Sequence, residues 1–248
     1  PEAAAQGIEV SAAHCESHTT QVPFHTVARL LRAATDIEHL DPKQARMRLR
    51  ELDPEADPDD VLHFEDLVGV ADPEAELPKI DPDARRRRLT ALVNTFSLTR
   101  ESPAVYVIED AHWIDEFSES LLADFFSVIP QTPSLVMVTY RPEYRGLLSQ
   151  GQGAHTIALT PLSNSETTTL VEELVGSDPS VAGLATLIVE RAAGNPFFAH
   201  EIVRDLAERG VLQGRAGSYV SSSDVEEVNL PATVQATIAA RIDRLDPA

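Results

Sequence analysis

The stretch VYVIEDAHWID, residues 105–115, constrains this chain more than any other. Four apolar residues run straight into Glu109 and Asp110, and a His-Trp pair and a further acid follow. A near-continuous apolar run of this kind reads as a parallel strand covered on both faces. Open α/β sheets bind their ligands beyond the carboxyl ends of such strands. Two acids delivered there suit a hydrated Mg2+, which is bound by one or two carboxylates together with substrate phosphates. One acid would hold the ion through water, and the other could polarise an attacking water. The plainer reading, two acids closing the loop after a strand, stays open on the pattern alone.

The rest of the pattern supports a layered sheet. GIEVSAAHC reads as a short strand and VPFHTVARLLRAATD as a helix with Phe24, Val27, Leu30 and Leu31 at helical spacing. DPDARRRRLTALVNTF starts a second helix, with Leu89, Leu92, Val93 and Phe96 inward, and Asp115 can cap a third. SLVMVTYRP reads as another buried strand and HTIALTPL as a further one, so strands and helices alternate. Residues 51–83 hold 13 acids, one base and five prolines, which fits short helices in a solvated insertion rather than core. After Pro161 helix follows helix. LSNSETTTLVEELVG opens on a capping box, Ser163 with Glu166, and Gly176 stands past its end. VLQGRAGSYV reads as a hairpin around Gly214 and Gly217, and LPATVQATIAARIDRL as a last helix. The expected division is an α/β domain over 1–160, a helical lid over 161–210 and a winged-helix-like end over 211–248.

Several motifs need weighing. In TYRPEYR, Arg141 at the end of a neighbouring strand could reach the same edge and sense a γ-phosphate, or it could pair with Glu143. In AAGNPFF, helix punctuation accounts for Gly194 and Pro196 without any ligand. HCESH offers His14, Cys15 and His18, but no second pair closes a four-coordinate metal site. The run Arg85, Arg86, Arg87, Arg88 reads as a solvated face. GLLSQGQG has the glycine spacing of a phosphate loop, yet continues Gln152-Gly153 where that loop requires Lys-Ser/Thr. The two lysines, Lys43 and Lys79, are followed by Gln and Ile, so the chain contains no phosphate loop.

Charge narrows the partners. Forty acids against 20 bases give a net charge of −20, which argues against gripping a phosphodiester backbone, the winged-helix-like end included. One cysteine fits a reducing, cytoplasmic setting, and no run of 18 apolar residues points to a membrane span. The chain opens on PEAAAQG without Met, as though entered partway along a helix.

Together VIEDAHWID, VTYRPEYR, TPLSNSE, RAAGNPFFAHEIVRDLAERGVL and LPATVQATIAARIDRLD resemble the STAND/AAA-type P-loop ATPase module of bacterial multidomain regulators. The nearest likeness is to actinobacterial proteins in which a class III adenylate/guanylate cyclase domain precedes the module and helical repeats follow, or to LuxR-type transcriptional regulators. The resemblance implies a three-layer α/β sheet of order 5-1-4-3-2, a helical lid, ATP and Mg2+ as ligands, and self-association or neighbouring cyclase and helical-repeat domains as partners. It makes Glu109 and Asp110 the Walker B acids, without deciding which holds the metal water and which is catalytic. It makes Arg141 a sensor arginine, and Gly194, Asn195 and Pro196 the turn that leans proline on the nucleotide base. His112 and Trp113 match a packing pair. In the family the Walker A strand and loop stand upstream of the point where this chain starts. The expectation is therefore a module truncated after Walker A, an ATP-driven regulatory switch in the intact parent and inactive alone. The alternative is a non-catalytic interaction scaffold.

Overall fold

The apolar run forms β2 (Ala104–Glu109), which lies between β1 (Glu9–His14) and β3 (Ser134–Val138) in one parallel sheet of order β1-β2-β3. The computed structural model describes residues 5–151, 153–221 and 228–230, with 233 and 235. The chain divides into two units, Pro1–Thr156 and Ile157–Ala248. Among the described residues no helix is long and apolar enough to cross a membrane.

In the first unit, the three strands take the order that the resemblance implies for its second, third and fourth strands. One face of the sheet is core: Ala13, Ala104, Tyr106 and Ile108 are buried with Leu30 of α1 (His25–Ala34) and with Leu121, Leu122 and Phe125 of α5 (Glu116–Phe126). Tyr106 meets Phe125 edge-on at 5.3 Å. Each fully buried Leu here contributes about 1.5–3 kcal/mol relative to exposure.

The other face differs from expectation. Val10, Leu135 and Met137 are exposed, the last two at 56% and 51%, so SLVMVTY is buried on one side only. The second helical layer of a three-layer sheet does not form among the described residues. HTIALTPL is no strand either, and Ile157 and Leu159 are 83% and 92% exposed. A strand needs a neighbour for its backbone groups, and no described strand lies beyond β3 to supply one.

The acidic window is solvated at its two ends, but its middle is core rather than insertion. It contributes α3 (Pro58–Leu67), whose Phe64 is buried in the core with Val68 and Val70, beside Ala45 and Leu49 of α2 (Pro42–Leu52). Two of its four Asp-Pro pairs, Asp57-Pro58 and Asp81-Pro82, are helix starts, as is Asp41-Pro42 upstream of it. Asp41, Asp57 and Asp81 cap α2, α3 and α4 (Pro82–Leu98) by accepting backbone N–H bonds, and proline occupies a first-turn position that needs no donor. Arginines from other helices neutralise the segment. Arg32 and Arg46 donate to the carbonyls of Val68 and Val70, both at 2.8 Å, and Arg50 donates to Glu65 at 3.0 Å. Arg85 pairs with Asp66, and Arg88 with Asp57 and Asp60. Arg86 reaches Asp124 of α5 at 3.1 Å, so three of the four consecutive arginines bolt helices together instead of forming a solvated face.

The buried carboxylate of Asp115 joins α1 to α5. It caps α5 through Ser118 N–H at 2.9 Å and accepts Phe24 N–H, at the start of α1, at 2.9 Å. Thr26 N–H lies at 3.5 Å, and Val27 N–H donates to Ser118 Oγ at 3.1 Å. Phe24 takes a left-handed conformation, φ 61°, to enter α1 in this way.

The second unit stacks α6 (Asn164–Val175), α7 (Ala182–Ala192) and α8 (Pro196–Glu208) around Val171, Leu184, Ile188, Ile202 and Leu206. The Ser163–Glu166 capping box is present. An antiparallel hairpin, β4 (Leu212–Arg215) with β5 (Ser218–Ser221), is tied to α6 by Gly217 N–H donating to the Leu174 carbonyl at 2.8 Å. The last helix of the winged-helix-like expectation lies outside the described residues.

Two outcomes are expected. Asp115→Ala should cost about 2–4 kcal/mol through two lost caps and a stranded amide, and Asp115→Asn less, because one acceptor oxygen remains. Guanidinium unfolding followed through Trp113, the chain's single tryptophan, measures this; a D115A protein as stable as wild type would contradict the double cap. His63, 2% exposed and without a hydrogen-bond partner among the described residues, is held below its ordinary value, first by burial and then by Arg85. The folded state then binds fewer protons than the unfolded chain below about pH 6.5, so stability is present above that pH and falls as pH drops through it. Unfolding midpoints from about pH 7.5 to pH 5.5 should decline in wild type and decline less in His63→Gln; parallel curves would refute the assignment.

Candidate active site at the carboxyl edge of the sheet

Parallel register puts the ends of the three strands at one level. His14 stands opposite Glu109, and Cys15 N–H donates to the Glu109 carbonyl at 2.9 Å. On the other side Ile108 pairs with Val138, and Thr139 N–H donates to the Ile108 carbonyl at 2.9 Å. The chain then turns sharply. Asp110 adopts a left-handed conformation, φ 56°, which aspartate tolerates better than most residues. Thr139 holds that turn from β3: its Oγ1 accepts Asp110 N–H at 3.0 Å and its carbonyl accepts Ala111 N–H at 2.9 Å. A 3-10 turn, Ala111–Trp113, leads on to Asp115 and α5.

The two acids are therefore adjacent but point to different partners. Glu109 Oε2 lies 2.9 Å from His14 Nδ1, both side chains about half exposed. Asp110 is the more open, 63% exposed, with Oδ1 3.8 Å from His112 Nδ1. An open carboxylate pair at this edge can share a hydrated divalent cation. His112 packs on Trp113 at 5.1 Å, and Thr20 Oγ1 donates to the Trp113 carbonyl at 3.2 Å.

Arg141 follows Thr139 by two residues and is exposed in a turn whose carbonyl accepts Tyr144 N–H at 3.0 Å. It forms no ion pair with Glu143 or any other acid among the described residues. The His14, Cys15 and His18 motif disperses: His14 is on Glu109, Cys15 is buried beneath the Thr26 hydroxyl, and His18 lies 3.7 Å from Glu16. Among the described residues no group of three metal-ligating side chains converges. Burial raises the Cys15 thiol above its ordinary value.

Gly194, Asn195 and Pro196 belong to the second unit. Gly194 has φ 80°, and a Cβ there would strike the Leu162 carbonyl, which its own carbonyl mirrors by accepting Leu162 N–H at 2.9 Å. Asn195 Oδ1 caps α8 through Phe198 N–H at 3.1 Å, and Pro196 is its first residue. Each residue thus has a local structural reason.

The structure places Glu109 and Asp110, with Arg141 two residues past Thr139, at the strand ends named from sequence, and adds Thr139, which sequence reasoning did not single out, and His14, which it saw only as a metal candidate. The signal lies in register: each parallel strand ends its apolar alternation at a polar residue, and those ends align.

The first unit is similar in sequence to the AAA ATPase domain, which matches residues 1–138, and a domain of unknown function (DUF8739) matches residues 163–213. An uncharacterized protein of Rhizobium meliloti (strain 1021) is 36% identical over 101 residues, which cover 41% of this chain and 9% of that protein. The chain thus spans a small part of the length of that relative. No solved structure matches. With more than half of its length matched, residues 1–138, the chain belongs to the AAA ATPase domain family.

Proposed function

We propose that the chain is the nucleotide-responsive part of an ATP-dependent regulatory switch in a multidomain signalling protein, of the cyclase-associated or LuxR-type transcriptional kind. The observation that carries this reading is the edge itself. Glu109 and Asp110 leave β2 where Thr139 and Arg141 leave β3, and Thr139 is bonded to the turn between them. Glu109 and Asp110 would hold Mg2+ through water, and the ion would neutralise charge on the phosphates when bound. Arg141, paired with no acid among the described residues, would meet the γ-phosphate. The phosphate cradle has no counterpart among the described residues: Gly146 and Gly151 flank a 3-10 turn, Leu147–Gln150, which leads into no helix there. The chain alone should therefore bind Mg·ATP weakly and turn it over poorly.

A second reading, a non-catalytic scaffold for partner domains, is favoured by the exposed apolar residues Val10, Leu135 and Met137.

An amide-resolved NMR titration with Mg·ATP up to about 10 mM separates the two. The expected result is movement of Glu109, Asp110, Thr139 and Arg141 signals with a Kd weaker than about 100 μM, roughly −5.5 kcal/mol. Asp110→Asn should remove the Mg2+ dependence of those shifts. No movement at 10 mM would reject the nucleotide reading in favour of the scaffold.

A further inference from the structure

We propose that Glu119, Tyr144 and Gly146 form a clamp that positions Arg141 for the terminal phosphate, an inference that rests on the nucleotide reading above. Arg141 lies in the loop after β3, and the loop is pinned to α5 at one point. The Tyr144 hydroxyl donates to Glu119 Oε1, and Leu147 N–H donates to the same oxygen at 2.9 Å. The Tyr144 ring also packs on Tyr140 at 5.3 Å, and Tyr144 N–H closes the turn onto the Arg141 carbonyl. Leu148, next along the loop, is buried in the core.

Gly146 makes the clamp possible through its size. Its φ of −73° suits any residue, but a Cβ would overlap Glu119 Oε1 and the end of the Tyr144 side chain. Burial, and then the Glu119 carboxylate, raise the Tyr144 hydroxyl far above its ordinary value, so it stays a donor at neutral pH. Glu119 N–H donates to the Asp115 carbonyl at 2.9 Å, placing the clamp one turn into the helix that begins where the Glu109–Asp110 turn ends. The metal acids and the arginine are thereby referenced to one rigid element. An exposed arginine on a loop fixed in this way loses less freedom on meeting a phosphate than one on a mobile loop.

The test compares Mg·ATP with Mg·ADP on the whole chain by NMR titration, with exchange of the Leu147 amide as a second readout. Wild type should prefer ATP by about tenfold, the worth of one charge-assisted contact. Arg141→Ala should bring the ratio near one. Tyr144→Phe and Gly146→Ala should bring it to about two to three, with faster Leu147 exchange and an unfolding midpoint near wild type. Glu119→Gln, which still accepts both bonds, should restore the wild-type ratio. A structural role alone would move the midpoint and leave the ratio. A tenfold ratio unchanged in Tyr144→Phe, despite faster Leu147 exchange, overturns the clamp by itself. A wild-type ratio of one, with binding, overturns the phosphate-sensing role of Arg141 and the clamp with it, whereas no binding overturns the nucleotide reading.

Discussion

The arrangement of the first unit depends on one buried carboxylate. Asp115 terminates two helices that are 91 residues apart in sequence at the level of the contact, accepting Phe24 N–H from the start of α1 and Ser118 N–H inside α5. Helix N-termini carry unpaired donors and partial positive charge, so a single anion between two of them satisfies both demands at once. Its place in the chain matters as much as its bonds. Asp115 directly follows the turn with Glu109 and Asp110, so the element that fixes the packing of α1 also fixes the direction in which the acid pair leaves the sheet.

The second organising force is charge. A segment with 13 acids would repel itself if left to water, yet it folds onto the core because α1, α2 and α4 supply arginines to its carboxylates and carbonyls. Pairs at the surface are worth about 0–1 kcal/mol each. The buried Glu65 with Arg50 is different, since an unpaired charge there would be costly. Arginine, with its planar fork of donors, suits carbonyl and carboxylate together, and the chain has 18 arginines against two lysines.

What the sequence shows and what it hides divide along physical lines. The strand β2, the α4 stripe, the Ser163–Glu166 box and the cap role of Asp115 are local, and local chemistry suffices to read them. The second role of Asp115 is not local, and nothing near residue 24 announces it. Composition misleads over residues 51–83, because it counts charges without their partners. HTIALTPL has the alternation of a strand, but alternation describes side chains, and a strand is made by backbone neighbours. At the site, Glu109 and Asp110 are legible as a candidate pair because they directly end an apolar run, although the pattern alone also fits two acids closing a loop. Thr139 is invisible until register places it beside Asp110.

The uncovered side of the sheet has a consequence for how copies of this chain behave in solution. Val10, Leu135 and Met137 face outward, and β3 is an edge strand whose outer backbone groups have no partner among the described residues. Such an edge is a template for adhesion between molecules. The net charge of −20 opposes that contact by mutual repulsion. Repulsion of this kind reaches only about 10 Å at 0.1 M salt and about 3 Å at 1 M. Colloidal behaviour is therefore set by ionic strength: dilute buffer keeps the molecules apart, and concentrated salt brings sticky surfaces within range of one another.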